Sequence, residues 1–168
     1  RLQQAKAKLN LNAQAIDPVL AEYLELRQGD LARAKFTLET DLQLGDTLLV
    51  FDRDALCQII GNLIDNALKY AKQGAWIRLC SRRDQNRALI EFSDRGSGLP
   101  QHLRKKTFQA FKRGDDSLTA ESSGFGLGLS IAQTLAREMN AKLSYQHPKG
   151  DRLHPTFTLE FPIYSKQK

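Results

Sequence analysis

The chain has 168 residues, 41% of them hydrophobic, which suits one compact domain with a single core. No stretch reaches the run of about 20 apolar residues that would span a bilayer. The net charge of +6 leaves an anionic ligand open, but no basic strip is interleaved with aromatic residues, so we expect no nucleic-acid partner. Cys57 and Cys80 lack metal-ligand spacing, so we expect both side chains to have packing roles. Unpaired cysteines suit a reducing compartment.

The first 51 residues predict one helix and up to three short strands. We expect an edge strand within residues 1–15, after a linker. Asp17 and Pro18 are typical of a helix start, with the aspartate as N-cap and the proline in the first turn. Three leucines then follow at helical spacing: Leu20, Leu24 and Leu31. Alternation over residues 36–42 and the apolar run 48–51 each predict a strand.

Residues 53–72 form the most informative predicted element, an amphipathic helix. Its apolar side chains share one stripe at the 3.6-residue period: Leu56, Ile60, Leu63, Ile64, Ala67 and Ala71. Asn62, Asn66 and Lys69 lie together on the opposite side. Because asparagine is a poor helix former, two of them on this face indicate either a functional role or an internally hydrogen-bonded polar face.

Two strands follow, near residues 75–82 and 87–94, with a polar turn between them. One face of the second strand carries Ala88, Ile90, Phe92 and Asp94. This alternation aims the carboxylate of Asp94 inward, where an unpaired charge is costly, so a ligand could be its partner. The alternative is that Asp94 only forms the turn before the next glycine.

Glycine and polar residues dominate residues 95–128, a loop length that is unusual in a compact domain unless the loop is functional. A short helical turn is expected near 102–108, a helix at 128–139, and strands near 141–146 and 156–163. The helix is expected to bury four apolar residues: Leu127, Ile131, Leu135 and Met139. The predicted fold class is an α/β two-layer sandwich, with a mixed, mostly antiparallel sheet of about five strands and three main helices on one face.

Four motifs follow one another along the chain, each of them weak when taken alone. They are Asn62-Leu-Ile-Asp-Asn66-Ala-Leu-Lys69-Tyr70, Asp94-Arg-Gly96-Ser-Gly98, Phe108-Gln-Ala-Phe111 and Gly124-Phe-Gly126-Leu-Gly128-Leu129. In this order and at these separations, they resemble the N, G1, F and G2 boxes of sensor histidine kinases. The resemblance covers residues 10–164 and implies the Bergerat ATP-binding fold of the GHKL superfamily, with a long, mobile ATP lid between the last two boxes.

The resemblance also implies a domain organisation and a reaction. Residues 1–9 would be a linker after an absent dimerisation and phosphoacceptor hairpin, and residues 10–168 the ATP-binding catalytic domain. Such a domain transfers the γ-phosphate of ATP to a histidine on that hairpin, for relay to an aspartate of a response regulator. We expect a cytoplasmic domain from a homodimeric bacterial sensor in the inner membrane. Because the chain starts at Arg1, we expect a fragment, monomeric by itself.

The resemblance carries roles onto individual residues. Asn66 is the expected principal Mg²⁺ ligand, with Asn62 supporting it, because this hard cation prefers oxygen ligands. Lys69 and Arg113 would meet the phosphates and complete the catalytic set, and Asp94 would accept from the adenine amine. The other expected ATP contacts are Tyr70, Gly96, Gly98, Phe108, Phe111, Lys112, Gly124, Gly126, Leu127, Gly128 and Leu129. Plain packing of Tyr70, Phe108 and Phe111 and a solvated Arg113 remain open alternatives.

Two rival functions differ from the kinase. Hydrolases of the same superfamily place a glutamate one turn before the metal-binding asparagine, to activate water. This chain has Asn62 there, which favours transfer to a histidine, because a neutral imidazole already has a free lone pair. A non-catalytic binding module is the second rival.

None of the three histidines (His102, His147 and His154) stands in a helical His-Glu context, so the phosphoacceptor is expected before residue 1.

Overall fold

The structure, a computed structural model, describes residues 8–104, 126–151 and 153–165. Its helices and strands, in chain order, are β1 Asn12–Ala15, α1 Ile16–Arg33, β2 Thr37–Leu42, β3 Leu48–Phe51, α2 Arg53–Tyr70, β4 Trp76–Asp84, β5 Arg87–Asp94, α3 Gly126–Glu138, β6 Lys142–Gln146 and β7 Thr156–Pro162. Residues 101–104 add a short helical segment. Within the three described ranges, no helix combines the length and apolar character needed to cross a membrane.

A five-stranded mixed sheet, in the order β2-β4-β5-β7-β6, forms the frame of the domain. β2 runs parallel to β4, whereas the other neighbours in this sheet pair antiparallel. β1 and β3 form a separate antiparallel pair. The helices cover one face of the larger sheet, so the predicted two-layer fold class is confirmed.

The core lies between this sheet and α2, and both sides of it follow the predicted periodicities. All six residues of the predicted α2 stripe are at most 3% exposed. On the sheet, Ala88, Ile90 and Phe92 of β5 are at most 2% exposed. Full burial of one large aliphatic or aromatic side chain contributes about 1.5–3 kcal/mol, so this interface fixes α2 firmly against the sheet.

The start of α2 is defined by a side-chain cap. The carboxylate of Asp52 accepts a hydrogen bond from the backbone N–H of Ala55 at 2.9 Å, which satisfies a donor that the helix cannot. This bond lowers the pKa of Asp52. The carboxylate also accepts from the N–H of Asn10 at 2.7 Å, so the segment before β1 is tied to the helix start.

The prediction that Asp17 caps α1 was wrong. The helix begins at Ile16 with Ala15 as the N-cap. Asp17 lies inside the first turn and is buried, and its carboxylate accepts from the N–H groups of Leu44 and Gly45 at 2.8 and 2.7 Å. The hydroxyl of Ser81 donates to the same carboxylate at 2.5 Å. Asp17 therefore joins α1 to the loop before β3 and to β4, rather than closing its own helix.

The buried face of α3 also differs from the prediction. Leu127 is 72% exposed, and Ile131 is only half-buried. The buried residues of α3 and the turn after it are Leu129, Ala132, Ala136 and Met139, with Leu135 partly buried against them. The prediction missed this buried face because two of its four residues are alanines. Their small side chains allow close packing, but they give little sign of it in the sequence.

Candidate functional site

The polar face of α2 meets the start of α3. The amide nitrogen of Asn62 donates to the carbonyl oxygen of Gly128 at 3.0 Å. A Cβ on Gly128 would lie 3.7 Å from Cγ of Asn62, so the two segments are in direct contact. This contact brings the first and last of the four motifs together, although 66 residues separate them.

Asn66, one turn along α2, has a buried side-chain nitrogen with no hydrogen-bond partner among the described residues. Leaving such a group unsatisfied costs about 1–3 kcal/mol. Rotation of the amide by half a turn exchanges its nitrogen and oxygen, so the same position can present either a donor or an acceptor. The orphaned amide therefore fits a hard cation through its oxygen, or an acceptor on a ligand through its nitrogen.

Asp94 ends β5 and aims its carboxylate at the same region. Burial raises the pKa of this carboxyl, and the hydrogen bond from Gly96 N–H and the charge of His154 offset part of that rise. The Gly96 bond is 2.6 Å long. Because a carboxylate can accept about four hydrogen bonds, capacity remains for a ligand donor.

A pocket joins these elements and contains five of the predicted ATP contacts. Its lining consists of Asn66, Tyr70, Ala71, Asp94, Gly96, Gly98, Tyr145 and Pro155. At Gly96, a Cβ would lie 2.8 Å from Asp94 Oδ1 and 3.0 Å from Ala71 Cβ, so a larger residue would crowd the carboxylate. The lack of a side chain at Gly96 thus keeps the space beside the carboxylate open to a group that donates to it.

A second, basic cleft of about 320 Å³ adjoins the pocket. Lys69, Lys72 and Arg95 line it. The guanidinium of Arg95 lies 4.6 Å from the ring centre of Trp76, and the ammonium of Lys69 lies 5.2 Å from that of Tyr70. With these cations, the cleft favours anionic groups next to the pocket.

The remaining predicted residues have different placements. Leu129 is buried in the core and Leu127 is exposed, and neither lines the pocket. Phe108, Phe111, Lys112, Arg113, Gly124 and the predicted lid lie outside the described residues. Of the three histidines, His102 is exposed in the short helical segment, whereas His147 and His154 are half-buried beyond β6.

Sequence reasoning missed Tyr145 and Pro155 as pocket residues. Neither belongs to one of the four motifs, and both come from the strands and loop at the far end of the chain. The only signal for Tyr145 is its hydroxyl, which needs a hydrogen-bond partner if the side chain is buried. That signal does not say where the partner lies.

Comparison with known proteins agrees with this geometry. A family model described as "Histidine kinase-, DNA gyrase B-, and HSP90-like ATPase" matches residues 51–165, a stretch that contains every residue of the pocket. The sensor-like histidine kinase SenX3 of Mycolicibacterium smegmatis is 28% identical over 164 residues, which is 98% of this chain and 42% of SenX3. The chain therefore spans less than half the length of that relative.

Two solved structures share the fold. The catalytic domain of histidine kinase ThkA, in a nucleotide-free form, gives a TM-score of 0.73 at 19% identity, over 92% of this chain and 98% of that one. Full-length ShkA in complex with AMPPNP gives a TM-score of 0.71 at 23% identity, over 95% of this chain and 32% of that one. At such identities, the likeness concerns the fold alone.

Proposed function

Since the chain belongs to the histidine kinase-, DNA gyrase B- and HSP90-like ATPase family, we propose that it transfers the γ-phosphate of ATP to a histidine of a two-component sensor kinase. The observation that carries the proposal is that Asn66 of α2 and Asp94 of β5 line the same pocket. The ATP analogue bound to the ShkA relative supports the same class of ligand.

Asp94 recognises the base in this mechanism. Its carboxylate accepts a hydrogen bond from the exocyclic amine of adenine, while Gly96 and Gly98 allow the backbone to lie close to the ring. Guanine carries a carbonyl oxygen at the corresponding position, which would face the carboxylate acceptor to acceptor. The site therefore selects ATP over GTP.

Phosphate binding is assigned to the start of α3 and to the polar face of α2. The first turn of α3 begins at Gly126 and contacts Asn62 at Gly128. The free N–H donors of this turn and the helix dipole favour anions. Lys69 adds a cation from α2. Asn66, supported by Asn62, would hold Mg²⁺, which neutralises phosphate charge when it is bound. Arg113 and the lid complete the expected phosphate contacts.

Transfer to histidine is favoured over hydrolysis by the residue at position 62. An amide cannot take a proton from water, and the nitrogen of Asn62 is engaged by the carbonyl of Gly128. An imidazole acceptor has a free lone pair and needs no such base. ATP hydrolysis is the alternative function, and a fast intrinsic rate would favour it.

The whole-protein setting belongs to the same proposal. Residues 10–168 act on a separate dimerisation hairpin that carries the histidine, and a response regulator receives the phosphate. The relative SenX3 is named a sensor-like histidine kinase, which supports this assignment of partners. The full-length protein is then a homodimeric membrane sensor with this domain in the cytoplasm.

Calorimetric titration of the 168-residue chain with ATP, with and without Mg²⁺, tests the proposal. Binding should be tighter with the metal, and Asn66→Asp should alter that difference, because it adds charge beside the phosphates. Asn86→Asp is the matched control, since it adds the same charge in the exposed turn at the opposite end of β5. No ATP binding, or equal metal dependence in all three proteins, would contradict the proposed site.

A further inference from the structure

Tyr145, on β6, connects the far edge of the sheet to the loop that carries the base-binding glycines. Its hydroxyl oxygen accepts a hydrogen bond from the backbone N–H of Leu99 at 2.9 Å. It also lies 3.1 Å from Nδ1 of His147. The ring packs against Phe157 of β7, with the ring centres 4.9 Å apart, so the hydroxyl is presented from a rigid part of the sheet.

The loop conformation depends on close contact with this hydroxyl. Gly98 has φ +75°, in the left-handed region, and a Cβ there would lie 2.3 Å from Tyr145 Oη. Leu99, the next residue, is only 2% exposed and anchors the loop in the core. Two hydrogen bonds therefore hold the segment from Asp94 to Leu99. The bond from Leu99 N–H to the Tyr145 hydroxyl holds its buried end, and the bond from Gly96 N–H to the Asp94 carboxylate holds its start.

The hydroxyl of Tyr145 belongs to the environment of the proposed base site. Burial raises the pKa of Tyr145, the Leu99 N–H offsets part of the rise, and the charges of Asp94 and Arg104 act in opposite directions. Tyr145 also lines the pocket itself, together with Asp94 and Gly98. It is thus close enough to shape the space that a base would occupy.

We propose that Tyr145 is a positioning residue for nucleotide recognition: its hydroxyl fixes the Gly96–Leu99 loop so that Asp94 meets the edge of the purine. This inference rests on the proposed nucleotide site and adds a specificity-determining residue outside the four motifs. Its action is on the base, so it affects nucleotide affinity and purine selectivity rather than the transfer of phosphate.

Tyr145→Phe tests the proposal, because it removes the hydroxyl and keeps the ring on Phe157. We expect the Kd for ATP to rise about five-fold, the equivalent of about 1 kcal/mol, and the preference for ATP over GTP to narrow. The amide of Leu99 should exchange with solvent at least about ten-fold faster, while amides of β6 and β7 keep their protection. Tyr164→Phe, at an exposed tyrosine away from the pocket, is the matched control.

A double-variant cycle with Gly98→Ala separates the loop contact from general destabilisation. Gly98→Ala should weaken ATP binding, and its effect should be smaller in the Tyr145→Phe background, where the contact with Oη is gone. Additive effects, or an unchanged Kd in Tyr145→Phe despite fast Leu99 exchange, would overturn the positioning role. An unchanged exchange rate of the Leu99 amide in Tyr145→Phe would show that the hydrogen bond to Tyr145 does not protect this amide, and would overturn the proposal at its first step. Failure of the wild-type chain to bind ATP would instead contradict the proposed function.

Discussion

Asp94→Asn should weaken ATP binding without unfolding the protein. The carboxylate already accepts the Gly96 N–H at 2.6 Å, and the proposed adenine amine would be its second donor. An asparagine has one oxygen for both donors, and its amide nitrogen cannot accept. A hydrogen bond to a charged group contributes about 1.5–3 kcal/mol, so the Kd for ATP should rise about 10- to 150-fold.

The free energy of unfolding should respond in a different way. Burial disfavours the charged form of Asp94, as the raised pKa of this carboxyl indicates, so removal of the charge relieves a cost of the folded state. The Gly96 bond becomes weaker with a neutral acceptor, which costs about 1 kcal/mol. These effects oppose each other, and we expect little net change in stability.

Calorimetry with ATP and GTP, together with urea denaturation of the ligand-free protein, measures both quantities. Asp84→Asn is the matched control, because Asp84 is exposed at the opposite end of the same hairpin, where β4 ends. It should leave the Kd for ATP unchanged. An unchanged Kd in Asp94→Asn, or an unchanged ratio of ATP to GTP affinity, would refute the role of Asp94 in base recognition.

Three further predictions concern pH, packing and hydrolysis. Because burial raises the pKa of Asp94, the ligand-free protein binds this proton more tightly than the unfolded chain does. This proton should therefore stabilise the folded protein fully below about pH 4, the ordinary aspartate range, and the stabilisation should be lost as pH rises through the raised pKa. The affinity for ATP should increase over the same rise in pH. Asp94→Asn should remove both trends in pH-dependent melts and titrations. Gly74→Ala, which would place a Cβ 2.4 Å from Arg95 Cβ and 2.6 Å from its carbonyl oxygen, should lower the free energy of unfolding by about 1–3 kcal/mol and weaken ATP binding. Gly29→Ala in α1, where the nearest atom to the new Cβ is 3.7 Å away, should instead stabilise the helix by about 0.5–1 kcal/mol. Equal effects of Gly74→Ala and Gly29→Ala on the free energy of unfolding, measured by denaturant titration, would contradict the packing argument. Asn62→Glu should raise phosphate release at most modestly, because it supplies a carboxylate but also breaks the bond to Gly128; a hydrolysis rate near that of a dedicated ATPase would disagree.

Sequence patterns predicted the parts of the site that depend on neighbours along the chain. The apolar stripe of α2 placed Asn62 and Asn66 on its polar face, and the alternation of β5 aimed Asp94 into the pocket. Both patterns follow from the fixed periods of helix and strand. They require no knowledge of what lies opposite.

Contacts between distant residues could not be predicted in this way. The partners of Asp17 are 27, 28 and 64 residues away, and Tyr145 meets Leu99 across 46 residues. Asp17 matched a helix N-cap locally, so the local pattern gave the wrong role. Tyr145 lies in a strand that the sequence predicted, but no local pattern marked it as a pocket residue, and the pocket contact arises from the pairing of β6 with β7.

Phosphate transfer in trans tests the central claim most directly. The chain should be incubated with ATP labelled at the γ-phosphate and with the dimerisation hairpin of its own full-length protein. We predict acid-labile, alkali-stable label on a histidine of the hairpin and none on His102, His147 or His154 of the chain. Label on one of those three histidines, or rapid release of free phosphate with an unlabelled hairpin, would contradict the proposed kinase function.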